Sequence, residues 1–164
     1  VGHAVGRGDR EGARQAARAA LYVAVAFMGA TATVFLALPG PLARLYTDAP
    51  GVLAVAVVLI PLAGVFQVFD GIQVTAIGLL RGLGDTRTPM LTGILGFWLL
   101  GLPVSLLLGF RFNFGPAGLW WGLVLGLVAV AVVLAVRLRH KLRQPLRRVH
   151  LDAPEAAASS LFEA

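Results

Sequence analysis

"GVLAVAVVLIPLAGVFQVFDGIQVTAIGLL", residues 51–80, carries one ionisable side chain, Asp70. A helix rises about 1.5 Å per residue, so about 20 residues cross a hydrocarbon core of about 30 Å. This stretch is long enough to do so. It is also apolar all round, whereas a helix lying on a soluble core shows one apolar stripe. Strand-like alternation is absent, which argues against a transmembrane β-barrel. Three further stretches share these properties, residues 19–38, 89–110 and 115–136. The composition agrees: 58% of residues are hydrophobic and 13% charged, against about 25% charged in a soluble domain. The chain therefore reads as an all-α polytopic membrane protein with four transmembrane helices.

The net charge of +6 and pI near 11.3 are those of many nucleic-acid binders, but the placement of the charge points elsewhere. Arg7, Arg10, Arg14 and Arg18 precede the first span, and Arg81 and Arg87 separate the second and third. Arg137, Arg139, Lys141, Arg143, Arg147 and Arg148 follow the fourth, while the opposite side holds only Arg44 and Arg111. This is the positive-inside asymmetry of a plasma-membrane protein. It predicts a bacterial inner-membrane location with both ends in the cytoplasm, membrane lipid as partner and no nucleic acid. The predicted organisation is a cytoplasmic linker over 1–18, a four-helix region over 19–136, and a basic then flexible tail over 137–164.

Signs of catalysis are missing from the sequence. There is no cysteine, and His3, His140 and His150 stand apart from any second metal ligand. "GRGD" (6–9) and "GLGD" (82–85) lack the third glycine and the preceding strand of a dinucleotide loop. The single lysine, Lys141, lies in the basic tail, so no Walker motif exists. The expectation is a protein that is not an enzyme and holds no cofactor; transport, if any, would draw on an ion gradient.

Local signals mark where the helices meet. Asp9 is placed to cap a helix that runs through the basic segment into the first span. Pro39 and Pro41 close that span, and Pro116 sits in the first turn of the last. Trp120 and Trp121 follow as an aromatic belt at interface depth. Gly118, Gly122 and Gly126 form a small-residue stripe that lets another backbone approach closely. Gly64, Gly71 and Gly78 recur every seven residues, drifting about 20° per step, and predict a second packed face. Pro61 and Pro103 each remove a helical hydrogen bond and give their spans a place to bend.

Asp70 lies about 15 Å from the edge marked by Arg81, close to the bilayer midplane. Gln67 and Gln73 fall about 60° to either side of it, making one polar arc, and the glycine row lies about 100° away. A carboxylate at that depth costs roughly 2.5–3.5 kcal/mol on insertion scales. It can serve as hydrogen-bonded helix glue. It can also be an ion or proton site facing a cavity, and intramembrane carboxylates usually mark such paths.

"FQVFDGIQVTAIGLLRGLGDTRTPM" (66–90), "GFWLLGLPVSLLLGF" (96–110) and "GPAGLWWGLVLGL" (115–127) occur in an order that resembles the multidrug and toxin extrusion (MATE) family. "VGHAVGRGDREGARQAAR" (1–18) is similar to that family's cytoplasmic linker before its ninth helix, and the likeness extends over residues 1–148. The resemblance implies the last four helices of the C-terminal six-helix lobe of a twelve-helix transporter, with eight further helices upstream. It implies export of cationic amphipathic compounds in exchange for sodium ions or protons. Asp70 then corresponds to the tenth-helix aspartate of the C-lobe cation site, a sodium ion there being the only metal expected. Phe66 stands where some members carry a tyrosine, and Phe66, Gln67 and Gln73 would line the cavity. Two alternatives are a lipid-linked precursor flippase of the same superfamily, disfavoured because no arginine or lysine lies inside the spans, and a structural membrane subunit without transport activity.

Overall fold

The computed structural model describes residues 1–144; the distal tail, with Arg147, Arg148 and His150, lies outside the described residues. Four helices long and apolar enough to cross a membrane run over Arg10–Ala37, Pro50–Gly82, Arg87–Arg111 and Gly115–Arg143. The first is α2, which follows a short α1 over Gly2–Gly6. The Asp9 carboxylate caps α2 by accepting from the Gly12 amide at 2.8 Å. Linker and span are thus one continuous helix from Arg10. Beyond Ala37 a short α3, Pro39–Arg44, begins on Pro39 and leads to α4, Pro50–Gly82.

The third span is not uniform. It opens as α5 (Arg87–Leu95), widens into π-helical turns over Gly96–Gly101, tightens as α6 (Leu102–Leu106), and widens again over Leu107–Arg111. Pro103 accounts for the first widening. It offers no N–H to the carbonyl one turn back and its ring crowds that carbonyl, so the preceding turn takes the longer bonding pattern. Pro61, by contrast, is accommodated inside α4 with no such widening.

The last span, α7 (Gly115–Arg143), follows Asn113 and opens on Gly115, both at positive φ, and has Pro116 in its first turn. It continues as helix seven residues past Val136, so the start of the basic segment, residues 137–143, is helical. Leu138 is buried, and the basic side chains of the last turn suit the negative end of the helix dipole.

In space the spans form a row. α4 packs on α2 along one side and on α7 along another, and the third span packs on α7. The core sits at the arginine-rich end, where Ala17, Ala76, Leu80, Leu134 and Leu138 interlock. At the seam between the third and fourth spans the backbones come close along the α7 glycines, while Val130 and Leu119 of α7 pack onto Gly96 and Gly109. A Cβ on Gly118 would lie 2.7 Å from the Leu108 carbonyl, and one on Gly126 would lie 2.6 Å from the Gly101 Cα. One on Gly122 would overlap the Ser105 backbone. The Ser105 hydroxyl crosses this seam and donates to the Leu119 carbonyl at 2.7 Å.

On α4, Gly64 lies against Ala32 and Phe35, and Gly71 against Met28, all on α2. Gly78 does not continue this row: it is exposed and faces open space. The drift of about 20° per seven residues carries it off the contact. At that level α4 turns Ala76, Leu79 and Leu80 to its neighbours instead.

Candidate functional site

Asp70 lies in the interior of α4 and is half-buried. Its surroundings follow from the residues one turn before and after it. Phe66 and Trp120 of α7 meet in a T-shaped pair, with centroids 5.9 Å apart and planes at 80°. Trp120 thus packs against α4 from the first turns of α7, while Trp121 stays exposed. Gln67 turns the other way: its Nε2 donates to Thr31 Oγ1 at 2.9 Å and to the Met28 carbonyl at 3.4 Å on α2. The Thr31 hydroxyl in turn donates to the Phe27 and Met28 carbonyls. At about 100° per residue, Asp70 projects between these two contacts. It occupies the face of α4 bounded by α2 on one side and α7 on the other.

The polar arc read from the sequence is thus divided. Gln67 belongs to the α2–α4 seam, because a side chain about 60° from Asp70 is also only about 40° from Gly71. Gln73 is 9% exposed, and its Oε1 has no hydrogen-bond partner among the described residues. A buried amide oxygen without a partner costs about 1–3 kcal/mol, so the Asp70 side of α4 holds unspent acceptor capacity. Chemically, the face offers a carboxylate, an unfilled amide oxygen and the Phe66 and Trp120 rings, a combination suited to a cation. Pro61 precedes this face by two and a half turns, and Pro103 lies on the third span, away from it.

A second polar site escaped the sequence reading. Asp85, in the loop after α4, is 8% exposed, accepts from Arg137 Nε of α7 at 2.9 Å, and accepts from the Thr88 amide at 3.2 Å. Burial pushes the Asp85 carboxyl up, but the hydrogen bonds from Thr88 and Arg137 outweigh it and hold the group below its ordinary 3.8. Gly84, at φ 77°, makes the turn that delivers Asp85 inward. The only signal in the sequence was a lone acid after glycine in a basic loop.

Comparison with known proteins gives a consistent result. The MatE family model matches residues 1–107. A probable multidrug resistance protein NorM of Xanthomonas campestris pv. campestris is 42% identical over 125 residues, covering 76% of this chain and 27% of that protein. The multidrug resistance protein NorM of Burkholderia vietnamiensis is 42% identical over 128 residues, covering 75% of this chain and 28% of that one. This chain thus spans little more than a quarter of the curated relatives it matches. A crystal structure of the eukaryotic MATE transporter AtDTX14 superposes with a TM-score of 0.77 over 89% of this chain and 34% of that one, at 22% identity, and so shares the fold. With four membrane-spanning helices in that arrangement and a family match over most of its length, the chain belongs to the MatE family.

Proposed function

We propose that the chain forms part of a secondary antiporter that exports cationic amphipathic drugs in exchange for sodium ions or protons. Asp70 is the coupling carboxylate in this reading. It rests most on one observation: Asp70, the one acidic side chain in the apolar run 51–80, sits half-buried in the middle of α4, between the aromatic contact to α7 and the amide contact to α2. The multidrug resistance names of the relatives supply the substrate class, and their greater length implies further helices that complete the cavity. The arginine-rich ends support an inner-membrane location with the C-terminus in the cytoplasm.

The mechanism follows from competition at one carboxylate. A cation and a proton cannot both neutralise Asp70, so binding of the driving ion displaces the substrate or the proton. Phe66 and Trp120 offer π-faces to an organic cation, and Gln73 offers the unfilled oxygen. In everted vesicles containing the full-length protein, Asp70→Asn keeps size and hydrogen bonding but removes the charge. Ion-driven efflux of a cationic dye should fall at least about tenfold with normal expression, the scale of one lost charge contact at about 1.4 kcal/mol per decade. Wild-type exchange by the variant would move the coupling site elsewhere and leave Asp70 as helix glue.

A further inference from the structure

At the arginine-rich end, on the side of α4 away from Asp70, α2 and α7 enclose a groove of about 770 Å³. Arg14 and Arg18 line it from α2, and Arg139 and Arg143 from α7, while Leu21 and Ile72 form part of its apolar floor. Arg14 is fixed in place: its Nε donates to the Leu142 carbonyl at 3.0 Å, tying the start of α2 to the last turn of α7. The arginines stand at the mouth, level with the ends of the spans, and Leu21 and Val25 continue one and two turns deeper into hydrocarbon. Ile72 is two residues from Asp70 and about 160° round α4 from it by the shorter way, so groove and carboxylate lie on opposite faces.

We infer that this groove binds one anionic glycerophospholipid, headgroup among the four arginines and acyl chains along Leu21, Val25 and Ile72. Charge complementarity selects the occupant. Four guanidiniums crowd one mouth, with Glu11 the only carboxylate paired to any of them among the described residues, at 3.9 Å from Arg14 and largely solvent-exposed. A zwitterionic lipid would leave that positive field uncompensated, and a soluble anion would leave the apolar floor bare. Basic pockets between transmembrane helices at the cytoplasmic surface meet both demands with an acidic lipid, each arginine adding to the attraction. Such a lipid would add to the hold of α2 on α7 that the Arg14–Leu142 contact and the core around Ala17 and Leu138 already provide. The inference is independent of the coupling role given to Asp70.

Native mass spectrometry of the full-length protein, titrated with dioleoyl phosphatidylglycerol or dioleoyl phosphatidylcholine, tests this. Wild type should bind the anionic lipid at least about tenfold more tightly than the zwitterionic one. The triple variant R18Q/R139Q/R143Q should lose most of that preference, whereas R7Q/R10Q/R87Q, with the same charge removed from the same side but outside the groove, should keep it. Should the first triple fail to fold, Leu21→Trp obstructs the floor with every arginine in place and should weaken binding in the same way. Inorganic phosphate should not displace the lipid. Absence of a preference in wild type, equal loss in both triples, or displacement by phosphate would each overturn the inference. So would a photo-crosslinker at Leu21 that captures another helix of the protein in place of lipid.

Discussion

Gln67 and Gln73 differ by six positions on one helix, yet they have opposite situations. Gln67 is spent on Thr31 and Met28, and Gln73 keeps a buried oxygen without a partner among the described residues. The consequence for substitution is a reversal of roles. Gln67→Ala breaks a seam contact and should lower stability by about 0.5–1.5 kcal/mol, with efflux per folded molecule nearly unchanged. Gln73→Leu removes the orphan acceptor and should cost little stability, but it should change which cations are exported. Thermal unfolding alongside transport selectivity separates these outcomes, and a swap of the two effects would refute the assignment. Asp85 invites a pH experiment. Its folded value lies below its unfolded one, so the ionised carboxylate stabilises the fold above the ordinary 3.8, and that stability is lost as pH falls through the depressed value. The Arg137 side chain is 38% exposed, so solvent screens part of the effect. Asp85→Asn should therefore melt below wild type at pH 7, the gap closing only at strongly acid pH. A gap that stays constant through the acid range would assign the loss to packing rather than charge.

At the level of the helices, length and type were legible because apolar runs of bilayer length have few other uses. Asp9 and Pro116 likewise announced where α2 and α7 begin, since capping and first-turn chemistry are local. Partners were not legible. The stripe on α7 said that some backbone comes close, but a stripe carries no address, and only the fold shows Leu108, Ser105 and Gly101 opposite it. Gly78 misled for a related reason: a seven-residue repeat drifts, so the third glycine of a row can leave the contact that the first two make. The site itself was half visible. Asp70 stands out in any reading of residues 51–80, whereas the splitting of its glutamine neighbours depends on which helix lies on each side. The seam makes a sharp prediction. Gly122→Val would drive a side chain into the Ser105 backbone and should destabilise by about 1–3 kcal/mol or more, while Gly78→Val, in open space, should be nearly neutral. Equal tolerance at both sites, measured as retention of folded protein in detergent on heating, would contradict the packing.

Across the whole molecule, charge and topology have to agree. Single cysteines at Thr86, beside the Asp85 loop, and at Asp48, in the turn before α4, should react with a membrane-impermeant thiol reagent from opposite sides of intact cells. Thr86 is the better probe of that loop because Asp85 is buried and paired. Labelling of both from one side would refute the four-span topology.

The order of the row also bears on how the chain is made. The third span packs on α7, with no comparable contact to α2 or α4 among the described residues, so the chain places its fourth helix between its second and third. During synthesis the third helix emerges before the neighbour it will pack against exists. It must wait in the lipid, its Gly101 backbone and the Ser105 hydroxyl uncovered, until α7 slides into the gap. A ribosome-arrested nascent chain in which residue 112 is followed by a linker long enough to span the ribosomal exit tunnel should therefore crosslink from Ser105 to lipid, and one that carries α7 through Arg143 before the same linker should crosslink to the last helix instead.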